Sequence, residues 1–133
     1  MGALYITSLD KGAGKTGICA GIGQYLLESG RKVGYLKPLA ANTDPDIAFM
    51  EQILALETSG DILNPSPDGV KKVYGEVSRG KDVVLVEGTT VADKDAVGIA
   101  DALDARVIIA ADYSADLPVA EIVEGGKKFG QRF

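Results

Sequence analysis

The stretch Ile6-Thr7-Ser8-Leu9-Asp10-Lys11-Gly12-Ala13-Gly14-Lys15-Thr16 joins a short apolar strand to the start of a helix through a glycine-rich turn. Such a turn leaves backbone N–H groups pointing into one concavity at the positive end of the helix, where phosphate oxygens bind. Lys15 would add a cation for the outer phosphates, and the Thr16 hydroxyl is placed to ligate Mg²⁺. A nucleotide is therefore predicted to bind at Asp10, Lys11, Gly12, Ala13, Gly14, Lys15, Thr16 and Gly17.

The match to the strict phosphate-loop pattern is partial, because the glycine expected five residues before Gly14 is Leu9. The context favours the phosphate-loop interpretation: Ala3–Ser8 is predicted to be a buried strand, and a helix is predicted from about Lys15 to Ser29. The alternative is a strand-to-helix turn whose glycines serve tight packing and whose lysine is solvated.

Composition limits the other classes of function. The 133 residues are 46% hydrophobic, which is enough for one domain, residues 1–133, with a real core. The net charge of −5 makes nucleic acid and anionic membranes poor partners, because their phosphates would be repelled. There is no histidine, so the usual general base and zinc ligand are absent.

The single cysteine, Cys19, excludes an intramolecular disulfide and is predicted to be a small buried hydrophobic residue rather than a nucleophile. The sequence has no signal segment and no apolar run long enough to span a membrane. A cytoplasmic location is expected.

Alternating strands and helices predict a parallel sheet that is covered on both faces. After the first helix the predicted elements are a strand at Lys32–Lys37, a helix from Asp46 to about Glu57 with Asp44 as N-cap, a helix from the Asn64–Asp68 break to about Ser78, a strand at Asp82–Glu87, a helix near Asp95–Leu103, a strand at Ala105–Ala111 and a helix near Leu117–Phe129. Ligands of such sheets bind at the carboxyl ends of the strands.

Lys37, Glu87 and Asp112 follow three of the predicted strands and should gather at that edge with the phosphate loop. Glu87 could reach Mg²⁺. The alternative interpretation is that Glu87 is a solvent-facing carboxylate at the end of a strand. Lys37 could bring a second cation to the terminal phosphate or be a surface lysine. The helix dipole alone explains an acidic residue such as Asp46 in the first turn of a helix. Asp10 could help to position the metal or the substrate, and it is equally well explained as a turn-forming residue.

Three motifs together resemble the dethiobiotin synthetase family in order and spacing. They are Thr7-Ser8-Leu9-Asp10-Lys11-Gly12-Ala13-Gly14-Lys15-Thr16, Gly34-Tyr35-Leu36-Lys37-Pro38 and Val84-Leu85-Val86-Glu87-Gly88. The chain is most similar to the dethiobiotin-synthetase-like N-terminal domain of bacterial phosphotransacetylases, which it resembles further in Leu4–Ser8, in Asp44-Pro45-Asp46, and in Asp104–Val107 leading to Ala111-Asp112-Tyr113.

The resemblance implies a three-layer α/β/α P-loop NTPase fold with a mostly parallel sheet, shortened at the C-terminal side. The chain would then be either part of a longer protein or a reduced domain. The family's cofactors are ATP and Mg²⁺. By motif, Gly12 to Thr16 would bind the ATP phosphates, Mg²⁺ would be bound by Thr16, Asp46 and Glu87, and Lys15 and Lys37 would act as the catalytic lysines on either side of the transferred phosphoryl group.

Three functions are weighed. The first is an ATP- and Mg²⁺-binding domain of the phosphotransacetylase-associated type, regulatory or weakly ATP-hydrolysing. The second is an ATP-dependent carbon–nitrogen ligase of the dethiobiotin synthetase or cobyrinic acid amidotransferase type, with a small-molecule substrate. It ranks lower, because the synthetase has a substrate-contacting serine soon after its Lys-Pro, and here Leu39, Ala40 and Ala41 follow. The third is a partitioning ATPase, whose signature lysine would replace Asp10. Family members form homodimers, so a homodimer is also expected.

Overall fold

The computed structural model describes residues 2–10, 14–38, 45–56, 66–112 and 119–133. Within these ranges, strands and helices alternate as the sequence predicts. The elements are β1 (Ala3–Ser8), α1 (Lys15–Glu28), β2 (Val33–Leu36), α2 (Pro45–Ile53), α3 (Pro67–Val77), β3 (Val83–Thr90), α4 (Ala96–Ala102), β4 (Arg106–Ala110), α5 (Val119–Lys127) and a 3₁₀ turn (Gly130–Arg132).

The four described strands form one sheet in the order β2-β3-β1-β4, and every pair is parallel. Because β1 and β3 are central, their carboxyl ends lie side by side, and Ile6 of β1 pairs with Glu87 of β3. The predicted three-layer α/β/α fold with a parallel sheet is confirmed. Among the described residues, no helix is both long and apolar enough to cross a bilayer.

Strand alternation divides the core into two clusters, one on each face of the sheet. One face packs under α1 and α2 and contains Ile6, Cys19, Val33, Tyr35, Met50, Leu54, Val83 and Leu85. The other packs under α3, α4 and the C-terminal segment and contains Tyr5, Leu36, Val84, Val86, Ile99 and Phe129, among others. Val83 and Leu85 of β3 face α1, and by the same alternation Glu87 lies on that face too.

Local sequence explains where two of the helices begin. Gly14 precedes α1 with φ 77°, a left-handed conformation that glycine adopts without steric cost. Ser66 caps α3, since its hydroxyl accepts a hydrogen bond of 3.2 Å from the Gly69 N–H, and Pro67 follows at the first helical position. The cap predicted at Asp44 lies outside the described residues.

Two predicted boundaries are wrong. The third strand does not end at Glu87 but continues through Gly88 to Thr90. Gly88 is needed inside the strand because a Cβ there would overlap the ring and hydroxyl of Tyr5. The second helix does not reach Glu57 but ends at Ile53, since Ala55 adopts a positive φ of 52°. Leu117, the predicted start of the last helix, lies outside the described residues.

Candidate functional site

A cavity of about 390 Å³ opens at the carboxyl ends of β1 and β3, above the start of α1. Its walls come from the phosphate-loop end, from the segment after β2, from α2 and from the end of β3. The lining residues are Gly14, Lys15, Thr16, Lys37, Asp46, Glu87, Gly88, Thr89 and Thr90. Five predicted site side chains thus lie around one cavity: Lys15, Thr16, Lys37, Asp46 and Glu87.

The phosphate-loop wall is described from Gly14 onward, and Lys11, Gly12 and Ala13 lie outside the described residues. Lys15 donates a hydrogen bond of 3.0 Å from Nζ to Ser8 Oγ, and Ser8 in turn donates one of 2.7 Å to the Asp10 carbonyl. The Lys15 ammonium group therefore lies at the carboxyl end of β1. In an α-helix the first N–H groups, which in α1 include that of Gly17, have no partner within the helix itself.

Glu87 is the buried acid of the site, with only 3% of its surface exposed. Its two carboxylate oxygens have different partners. Oε2 accepts a hydrogen bond of 3.0 Å from the Thr16 hydroxyl, and Oε1 accepts one of 3.1 Å from the Tyr35 hydroxyl. The alternative of a solvent-facing carboxylate at a strand end is therefore wrong, because Glu87 lies within β3 on the face that α1 covers.

Lys37 connects the two acids across the cavity. Its Nζ lies 2.7 Å from Asp46 Oδ2 and 3.3 Å from Glu87 Oε2. The lysine side chain is 18% exposed and that of Asp46 is 43% exposed, so the pair sits at the mouth of the cavity. Lys37 is therefore not a solvated surface lysine. Asp46, which local sequence explained only by the helix dipole, is at the site, as the resemblance implies.

Two neighbours of Glu87, the Tyr35 phenol and the Cys19 thiol, stay in their neutral, hydrogen-bonding forms. Burial raises the pKa of the Tyr35 phenol, and the charge of Glu87 raises it further. Burial and Glu87 likewise raise the pKa of the Cys19 thiol, which hydrogen-bonds to the same carboxylate. Cys19 is fully buried, as predicted. A protonated thiol at a buried position is unsuited to nucleophilic chemistry.

The donor set fits Mg²⁺, a hard cation that takes oxygen ligands and is usually held by one or two carboxylates with phosphate oxygens. Thr16, Asp46 and Glu87 supply a hydroxyl and two carboxylates around one space. The Lys37 ammonium already lies between the two carboxylates, which shows that a cation is stabilised there. Among the described residues there is no cluster of three or more histidine, cysteine or acidic side chains, so phosphate oxygens would have to complete the ligand set.

Sequence reasoning missed the lining by Thr89 and Thr90 and the contact of Tyr35 with Glu87. The sequence contains a signal for each of these features. Tyr35 lies two residues before Lys37 on a strand, so alternation puts it on the same face of the sheet. Thr89 and Thr90 directly follow Gly88 and are β-branched residues that favour a strand, so they could have been assigned to β3. Asp10 and Asp112, predicted at the same edge, are not among the residues that line the cavity.

The sequence of this chain is similar to those of several known proteins. The AAA domain family matches residues 2–67, a range that includes the phosphate loop, Lys37 and Asp46. The ATP-dependent dethiobiotin synthetase BioD of Methanococcus vannielii is 39% identical over 62 residues, which are 47% of this chain and 29% of that protein. A phosphate acetyltransferase of Nitratidesulfovibrio vulgaris is 29% identical over an alignment that covers 94% of this chain and 20% of that protein. The chain spans less than a third of the length of these relatives.

Solved structures share the fold. The chloroplast FtsY of Physcomitrella patens has a TM-score of 0.73 at 17% identity, covering 97% of this chain and 47% of that one. The kinase domain of the Escherichia coli tyrosine kinase ETK has a TM-score of 0.71 at 15% identity, covering 98% and 63%. At these identities the likeness concerns the fold alone. The sequence matches, and not the solved structures, support a relationship to the dethiobiotin-synthetase-like P-loop family that is related to phosphotransacetylase.

Proposed function

We propose that this domain binds ATP together with Mg²⁺ in the cavity above α1, and that its role is regulatory or weakly ATP-hydrolysing. The single observation that carries the proposal is that Lys15, Thr16, Lys37, Asp46 and Glu87, drawn from separate segments of the chain, line one cavity. Two cations beside two carboxylates and a hydroxyl form the charge pattern that a magnesium–triphosphate complex requires.

Each group has a part in this binding. Backbone N–H groups of the loop and of the first turn of α1 would hold the phosphates, and Lys15 would neutralise the outer ones. Mg²⁺, when bound, would neutralise charge that develops on the phosphates. Thr16, Asp46 and Glu87 are its proposed protein ligands. Lys37 is then free to turn toward the terminal phosphate, because the metal replaces its charge between the carboxylates.

The experiment is a calorimetric titration with Mg²⁺-ATP of the wild-type chain and of two lysine variants. Lys15→Ala should give no detectable heat, since the cation nearest the phosphates is lost. Lys127→Ala is the matched control, because Lys127 lies on the exposed face of α5, where it pairs with Glu124. Undiminished binding by Lys15→Ala, or equal losses in both variants, would contradict the proposal. Phosphate release by the wild type, compared with that by Lys15→Ala, would measure turnover.

A ligase of the dethiobiotin synthetase type is the second candidate. The observation that favours it is that the cavity extends from Lys37 past Gly88 to Thr89 and Thr90, beyond the phosphate-loop wall. A second substrate could lie there beside the terminal phosphate. Titration with diaminopelargonic acid in the presence of Mg²⁺ and a non-hydrolysable ATP analogue separates the two candidates, since only the ligase should bind the diamine.

The remaining sequence expectations stay predictions. They are a single domain over residues 1–133, a homodimer and a cytoplasmic location. Sedimentation of the purified chain with and without Mg²⁺-ATP would test the homodimer.

A further inference from the structure

The hydroxyl of Tyr35 bonds to one oxygen of Glu87 from the core, on the side away from the cavity. Tyr35 is completely buried in β2, and its hydroxyl lies 3.1 Å from Glu87 Oε1. The opposite oxygen, Oε2, faces the cavity, with Thr16 Oγ1 at 3.0 Å and Lys37 Nζ at 3.3 Å. One carboxylate oxygen is thus directed into the core and the other toward the phosphate loop.

This division follows from the sheet. β2 and β3 are parallel neighbours in which Tyr35 pairs with Leu85, so Glu87 lies two residues further on the same face. A tyrosine side chain is long enough to reach that carboxylate from below. The terminal torsion of a glutamate is soft, and its carboxylate would rotate unless a partner held it. A buried carboxylate oxygen without a donor would also carry a desolvation penalty.

We propose that Tyr35 is a positioning residue for the metal: its hydroxyl holds Glu87 Oε1 in the core, so that Oε2 is presented to a divalent cation at the phosphate loop. The proposal rests on the proposed function, since it concerns the same Mg²⁺. Groups that orient a metal ligand from behind typically change metal affinity by 10–100-fold when they are removed.

A structural role alone would give a different result. Phenylalanine has almost the volume of tyrosine and would fill the same space between β2 and α1. A side chain needed only for packing could therefore be replaced by phenylalanine without changing the metal dependence of nucleotide binding. Loss of the hydroxyl should act on the metal and leave the metal-independent part of nucleotide binding as it was.

The test compares the wild type with Tyr35→Phe, with Tyr74→Phe as the matched control. Tyr74 is a half-buried tyrosine of α3 that packs against the cluster on the opposite face of the sheet. ATP binding is titrated in EDTA and at a series of Mg²⁺ concentrations, and Mn²⁺ in the complex is followed by electron paramagnetic resonance. Tyr35→Phe should weaken the metal about tenfold, with ATP binding in EDTA unchanged and an altered Mn²⁺ spectrum.

A double-mutant cycle adds a readout that packing would not give. If Tyr35 acts through Glu87, then Tyr35→Phe should have no further effect on metal affinity in a Glu87→Gln background. Equal metal affinity of the wild type and Tyr35→Phe, or equal losses with and without metal, would overturn the Tyr35 proposal alone. A wild type that binds nucleotide without Mg²⁺ dependence, or none at all, would overturn the proposed function and the Tyr35 proposal with it.

Discussion

Lys37 and Asp46 form an ion pair in which Nζ lies 2.7 Å from Oδ2, at the mouth of the cavity. They are nine residues apart in sequence, one after β2 and the other in the first turn of α2. The same ammonium lies 3.3 Å from Glu87 Oε2. One lysine ammonium therefore lies within ion-pair distance of both carboxylates that the proposed function assigns to Mg²⁺.

The first prediction concerns this shared cation. In Lys37→Gln the two carboxylates lose the ammonium that they share, so the nucleotide-free protein should bind Mn²⁺ several-fold more tightly, because one partly exposed ion pair contributes about this much. Electron paramagnetic resonance of Mn²⁺ without nucleotide measures the change. Lys127→Gln is the control and should match the wild type. Weaker Mn²⁺ binding by Lys37→Gln would mean that the lysine does not compete with the metal.

The second prediction concerns the glycine that follows Glu87. Gly88→Ala should lower the free energy of unfolding by about 1–3 kcal/mol, since the added methyl group would overlap the buried ring of Tyr5. Urea unfolding measures this. Gly75→Ala in α3 is the control, because open space surrounds its added Cβ and alanine favours helices, so this variant should be as stable as the wild type or more. Equal stabilities of both variants would refute the packing argument.

The third prediction concerns the C-terminal segment. Arg132 bonds to Asp101 with Nε at 2.8 Å and to Asp104 with Nη1 at 2.7 Å, and these contacts attach the 3₁₀ turn to the last turn of α4 and to the α4–β4 connection. Hydrogen bonding to Arg132 lowers the pKa of the Asp104 carboxyl. Because the folded pKa is below the unfolded one, the pair contributes its full stabilisation above the unfolded value of about 3.9, and this contribution is lost as the pH falls below that value and through the folded pKa.

Arg132→Gln should therefore have a slightly lower Tm than the wild type at pH 7, and the difference should shrink below about pH 4. Thermal unfolding followed by circular dichroism at both pH values measures it. Arg79→Gln, at the exposed end of α3, is the control and should change little at either pH. A difference in Tm that grows toward acid pH would contradict the assigned sign.

Much of the site could be predicted from local sequence. Gly14, Lys15 and Thr16 could be assigned from the turn alone, because a strand, a glycine and the start of a helix define a phosphate site within a few residues. Asp46 could not, since an acidic residue in a first helical turn is favoured by the dipole whether or not it binds anything. Only the family resemblance pointed to it, and the tertiary contact with Lys37 places it at the cavity.

The error at the end of β3 has a physical cause, which is that glycine both ends strands and occurs inside them where a neighbouring side chain comes close. Gly88 was interpreted as the end of a strand, whereas it lies inside β3 because Tyr5, from the neighbouring strand, occupies the space of its side chain. That partner is 83 positions away in sequence and leaves no local signal. With the strand ending at Glu87, the sequence left a solvent-facing carboxylate open as the alternative to a Mg²⁺ ligand, and the burial of Glu87 within β3 excludes that alternative.

By itself, the sequence determined the order of strands and helices and the parallel sheet, and it predicted a phosphate site at the turn before α1, since these depend on periodicity and on short-range backbone geometry. Only the tertiary structure decided which polar groups share a space. The parallel register of β2, β3 and β1 brings Tyr35, Glu87 and Thr16 into one hydrogen-bonded set, and Lys37 and Asp46 join it from segments outside the strands. These contacts link residues up to 71 positions apart, and such pairings arise from the packing of whole elements rather than from any local preference.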